Sequence, residues 1–198
     1  MYTNRKRIMT DAEDEDDNDD SLNVKVINHN HIYLYGEIDM SVALEFNTKF
    51  NESLLKYKKI CLDINIEPVF NIHINSCGGV IVAALSMIET LKRSKCQIYT
   101  YIEGECSSAA TLIAVIGDKR YMGENSLMLI HQLRSGFWGT ASEFAEENKN
   151  NKKFMKIIKN IYLKHTSIDS DAMEKMLLKD SYMSSKRSKK MGLIDEII

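Results

Sequence analysis

The sequence predicts an α/β fold in which repeated strand–turn–helix units surround a mainly parallel sheet, with one long helix projecting from it. Three observations carry this. An apolar strand-like segment ends in a small-residue turn and runs into a helical stretch twice in succession, over residues 69–91 and 97–117. Successive units of that kind argue for parallel strands joined by right-handed crossovers. Further on, Thr140-Ala-Ser-Glu143 is a capping box that opens a long helical pattern, Ala141 to Lys164. The stretch Glu146 to Lys153 inside it is entirely polar, as expected of a helix that leaves its domain to meet another subunit.

The chain has 198 residues, 44% of them hydrophobic, which suits one compact domain, taken as residues 23–198. Residues 1–20 set Arg5, Lys6 and Arg7 against eight acids, a sum of −5, which leaves +3 for the rest of a chain whose total is −2. Without apolar periodicity, residues 1–22 are expected to form a disordered acidic tail. The mildly basic remainder does not call for nucleic acid. The start, Met1 to Arg7, leads into acid rather than an apolar stretch, so no signal peptide is expected. No run reaches the length of a membrane span. Cys61, Cys77, Cys96 and Cys106 have no paired spacing, so free thiols in a reducing, intracellular, cytoplasmic setting are expected.

In chain order, Leu22 to Ile27 alternates weakly, and His31 to Tyr35 reads as a strand ended by Gly36. Val42, Phe46, Phe50, Leu54 and Tyr57 mark a helix over 41–57. Lys59 to Asn65 and Val69 to Ile74 read as two strands with Pro68 at the turn between them. Asn75-Ser-Cys-Gly-Gly79 closes the second, and Val80 to Leu91 is an amphipathic helix. Gln97 to Glu103 is a strand stopped by Gly104, Glu105 to Ser108 a tight turn, and Ala109 to Ile116 a buried helix. Lys119 to Met122 and Ser126 to Ile130 are strands joined by Gly-Glu-Asn. Helices are expected over 171–179 and 184–191, the last stopped by Gly192. Lys186, Arg187, Lys189 and Lys190 on it read as a solvated face.

The chemistry gathers at the strand ends. In a parallel sheet the carboxyl ends of neighbouring strands lie side by side, so the Gly78-Gly79 turn and the Ser108 turn should face each other across one cleft. A hydroxyl beside free backbone N–H groups suits a nucleophile whose tetrahedral intermediate carries a negative oxygen. A Ser in that place also serves as a plain helix N-cap, and Gly-Gly as a plain tight turn. His131, at the end of a strand, is placed to act as a base. Cys106 is a competing nucleophile, since a thiol near a helix start can have a lowered pKa, but it precedes the helix by too much to share the oxyanion donors. His73 lies within an expected strand. His165 lies at a helix C-terminus, where the dipole alone accounts for it.

Asn75-Ser-Cys-Gly-Gly79, Gly104-Glu-Cys-Ser-Ser108, Leu129-Ile-His-Gln132 and Lys179-Asp180 stand in that order. With these motifs the chain, over about residues 31–198, resembles the ClpP family, the proteolytic subunit of the ATP-dependent Clp protease, a serine peptidase of crotonase-like fold. The resemblance implies that Ser108 is the nucleophile, His131 the general base and Asp180 the third member of the triad, with the backbone N–H groups of Gly79 and Ala109 as oxyanion donors. It further implies a homo-oligomer of heptameric rings stacked in pairs, unfolded polypeptide as substrate, and a Clp-type AAA+ unfoldase that uses ATP. No cofactor or metal is expected in this chain, and no nucleic acid or membrane partner. Cys77 and Leu133 stand where the family usually has Pro, and Ser181 where it often has a ring-bridging Arg. The alternatives are a crotonase-like enzyme acting on acyl thioesters, a non-catalytic ring subunit, and a virus-encoded capsid-maturation protease with a ClpP-like domain.

Overall fold

The computed structural model describes residues 23–198. The expected acidic tail, residues 1–22, lies outside the described residues. A sheet built mostly from parallel strands carries the fold, in the order β1, β2, β3, β4, β5, β8. Strand β1 (Val24–Ile27) pairs antiparallel with β2 (His31–Ile38), and β2, β3 (Val69–Gly79), β4 (Gln97–Ser107) and β5 (Lys119–Met122) run parallel to one another. Beyond the end of β5, β6 (Leu127–Leu129) takes over as the neighbour of β4. It pairs antiparallel with β7 (Met183–Ser184), while β8 (Glu196–Ile197) closes the far edge on β5. The two short strands β7 and β8 are additions to what the sequence predicts, and two residues are too few to show a period.

The pleat sorts the residues. On β2, Ile32 and Leu34 are buried, as are Ile72 and Ile74 on β3 and Ile98 and Ile102 on β4. Against this side lies α1 (Met40–Asp63), whose Phe50 and Tyr57 rings meet Phe70 at 4.8 and 5.5 Å. Helices α2 (Ile81–Ser94) and α3 (Ala109–Val115) complete the layer, and all seven residues of α3 are buried. The alternate residues form a band of rings on the other side. Tyr33 stacks on His73, His73 on Tyr101, and Tyr101 on Tyr121, with centroids 4.3–4.8 Å apart. His73 is thereby placed: it bonds His31 at 2.9 Å and the Glu103 carboxylate at 2.7 Å.

Two expected strand ends are corrected. Strand β2 does not stop at Gly36 but continues to Ile38, and β4 does not stop at Gly104 but continues to Ser107. Each glycine sits at positive φ (83° and 114°), and the ladder register shifts there, between Tyr35 and Glu37 and between Ile74 and Ser76. Glycine makes a bulge in these strands instead of an end. The strand expected over 59–65 is also corrected: α1 runs on to Asp63. Its buried stripe, Phe46, Phe50, Ser53, Cys61, keeps helical spacing, and the apolar Ile60, Leu62 and Ile64 face solvent.

The C-terminal third adds α4 (Ala141–His165), α5 (Ser170–Leu177) and α6 (Ser185–Lys190). The capping box forms as read: Thr140 accepts from the Glu143 backbone N–H, and the Glu143 carboxylate accepts from the Thr140 N–H at 2.7 Å. Helix α4 has its buried residues, Ile158, Ile161 and Tyr162, in its second half; the mostly exposed first half touches the preceding loop, through the Phe144–Phe137 ring pair and an Asn151 to Ser135 hydrogen bond. Phe154 to Ile161 thus offers less bare apolar surface than its composition suggests, although Ile157 stays exposed. Arg120 clips the region together, bonding both Asp195 oxygens and the carbonyls of His165 and Gly192.

Candidate functional site

The bulges at Gly36 and Gly104 carry β2 and β4 onward, so the ends of β2, β3 and β4 come together on one edge of the sheet. At the end of β4 the chain turns into α3 through a single residue, Ser108, with φ 54° and ψ −125°. A non-glycine residue held there is strained by about 1–3 kcal/mol, and such strain persists only where its surroundings impose it. Several bonds impose it here. The Ser108 N–H donates to Leu129 O at 2.8 Å, and the Ser108 carbonyl accepts from Thr111 N (3.1 Å) and Thr111 Oγ1 (2.5 Å). Thr111 is held in turn by the buried Tyr162 hydroxyl of α4 at 2.5 Å. Ser107, one residue earlier, donates to Glu105, which also accepts from Tyr182.

Ser108 occupies the N-cap position of α3, yet its side chain makes no capping bond. Among the described residues its hydroxyl has no hydrogen-bond partner, so a simple cap does not account for it. The glycine turn at the end of β3 faces it, as the parallel topology requires. A Cβ on Gly78 (φ 89°) would stand 2.5 Å from Ser107 O, 2.7 Å from Ser108 Cβ and 2.9 Å from Ala109 N. Only glycine lets the β3 backbone lie this close to the Ser108 turn.

The space between these turns is a cleft of about 410 Å³, whose lining includes Gly79, Ser108, Ala109, His131 and Arg134. Four of the five residues marked from sequence, Ser108, His131, Gly79 and Ala109, therefore share one cavity. The fifth, Asp180, follows α5 and is not part of that lining. His131 Nδ1 donates to the Gln132 carbonyl at 2.6 Å, and Asp180 forms an ion pair with Arg134. The structure thus brings serine and histidine into one cleft and leaves the aspartate tied to another partner. Sequence reasoning missed that partner.

Competing groups fall away. Cys106 is fully buried, and burial together with the Glu105 charge pushes its thiol pKa well up, so it is held as the unreactive thiol. His165 stands at the C-terminal end of α4, where the sequence put it, and burial, with Lys92, Lys164 and Arg120 nearby, lowers its pKa. No group of three or more His, Cys, Asp or Glu among the described residues could hold a metal ion. No helix among them is long and apolar enough to cross a membrane.

A family model described as Clp protease matches residues 14–198. The match enters the acidic stretch, further toward the N-terminus than the motifs themselves reach. It takes in every strand and helix that shapes the cleft, and the chain belongs to the Clp protease family.

Proposed function

We propose that the chain is a serine endopeptidase that degrades unfolded polypeptide inside a ring-shaped chamber, with Ser108 as nucleophile, His131 as general base and Asp180 as the orienting carboxylate. One observation carries this reading: a serine fixed at positive φ on the edge of a cleft, its hydroxyl free of any capping bond and a histidine in the same lining. Strained serines of this kind, at the end of a strand and the start of a helix, present their Oγ to solvent and substrate.

The chemistry runs as acyl transfer. His131 takes the Ser108 proton as Oγ attacks the scissile carbonyl. The N–H groups of Gly79 and Ala109 are assigned to the resulting oxyanion. The imidazolium then protonates the leaving amine, and a water, deprotonated by His131, hydrolyses the acyl ester. Asp180 fixes the tautomer by accepting from His131 Nδ1, for which His131 must leave the Gln132 carbonyl and Asp180 must leave Arg134.

The projecting half of α4 is the element suited to bind further copies, with Phe144 exposed on it and Trp138 98% exposed on the preceding loop. Heptameric rings stacked in pairs, enclosing the clefts and fed by an ATP-using AAA+ unfoldase, complete the proposal. A second reading, a non-catalytic ring subunit, draws on the Arg134–Asp180 pair and the Gln132-bound His131. Sedimentation of the full chain, with degradation of a loosely folded protein such as casein, separates them. Oligomers that degrade casein, and lose this with Ser108→Ala, support the peptidase; oligomers inert toward casein and small peptides support the second reading.

A further inference from the structure

We propose that Arg134 selects carboxylate-bearing peptides, and that the substrate carboxylate displaces Asp180 from it so that Asp180 can orient His131; this rests on the triad reading above. Arg134 lines the same cleft as Ser108, His131, Gly79 and Ala109. Its guanidinium is paired with the Asp180 carboxylate, and that is the partner Asp180 has among the described residues. His131 meanwhile spends Nδ1 on the Gln132 carbonyl. The group needed to hold the base is therefore held by a cation of the substrate cleft.

Such a pair exchanges readily. The side chains of Arg134 and Asp180 are 70% and 54% exposed, so both are well solvated and the pair adds little stability. A carboxylate on bound peptide presents two oxygens like those of Asp180, in the planar geometry to which a guanidinium donates bidentately. When it takes Arg134, the Asp180 charge is released and can accept from His131 Nδ1–H once that group leaves the Gln132 carbonyl. Besides His131, the ionic residues of the cleft lining are Glu37 and Arg134. Glu37 disfavours an acid on its side, and Arg134 therefore fixes where the substrate carboxylate sits. Lys179 and Ser181 flank Asp180 in the chain, and Lys179 is exposed. The carboxylate can come from an Asp or Glu side chain or from a peptide C-terminus.

The test compares fluorogenic peptides matched except for Glu against Gln, each with a free or amidated C-terminus, on the assembled full chain. The expected kcat/KM favours the carboxylate by about tenfold. With Arg134→Gln the ratio falls to about one, and the rate on the neutral, amidated peptide rises because Asp180 is released. Arg134→Lys keeps a reduced preference, since a point charge replaces the fork. A gain from Glu in amidated peptides identifies a side-chain carboxylate as the source, and a gain from the free terminus alone identifies the C-terminus. Equal rates on all four peptides, or a preference that survives Arg134→Gln, overturn the assignment while cleavage still depends on Ser108. Cleavage that persists in Ser108→Ala overturns the triad reading, and this inference with it.

Discussion

Replacing Gly78 by Ala strikes the cleft where its two turns touch. The backbone there has φ 89°, and the new methyl would stand 2.5–2.9 Å from Ser107 O, Ser108 Cβ and Ala109 N. The conformation alone costs about 1–2 kcal/mol for an L-residue. Three contacts inside van der Waals distance, two of them to backbone, bring the total to roughly 3 kcal/mol. For a chain of this size each kcal/mol moves Tm by about 2–4 °C, so a fall of roughly 6–12 °C is expected. The activity loss should be larger than stability explains. Relief of the clash must push the Ser108 turn away from Gly79, and displacement of a catalytic group by about 1 Å costs on the order of 100-fold. Thermal unfolding and the acylation rate with a fluorophosphonate, measured below Tm, give both numbers. Gly136→Ala is the stability control, because a Cβ there meets nothing within 4 Å. A Gly78→Ala protein with unchanged Tm and wild-type acylation refutes the close approach of the two turns.

Two further outcomes follow from single groups. Hydrogen bonds from Arg120, with its charge, hold the Asp195 carboxyl below its ordinary value. A depressed carboxylate stabilises the fold above its unfolded pKa near ~3.9 and stops doing so as pH falls through its folded value. Asp195→Asn should therefore lower Tm at neutral pH, with the gap to the parent closing as the pH drops below about 4; a gap that is the same at every pH contradicts this. Iodoacetamide should alkylate the exposed Cys77 in the native protein and leave buried Cys106 untouched until unfolding. Modification of Cys106 before Cys77 contradicts the placement of the thiol inside the core.

That a turn at Ser108 leads into a buried helix could be read from the chain because its signals are local: Cys106, Ser107 and Ser108 followed by an almost unbroken apolar run. The capping box at Thr140 was equally local. The strand ends were not, since Gly36 and Gly104 stop a strand or bulge it depending on the neighbouring strand, which only the sheet register decides. The end of α1 escaped for a related reason. Ile60, Leu62 and Ile64 imitate strand alternation, and only the docking of Cys61 in the helical stripe reveals the period. At the site, Ser108, His131, Gly79 and Ala109, which motif order singled out, line one cleft. The Arg134–Asp180 pair joins positions 46 residues apart, and nothing local to either one announces it.

The role of Ser108 is tested most directly by a fluorophosphonate reacted with the full-length protein, followed by peptide mapping. The expected result is a single adduct on Ser108 Oγ, slowed by His131→Ala and absent from Ser108→Ala. An adduct on Cys106 or another residue, or labelling that survives Ser108→Ala at the parent rate, would contradict it.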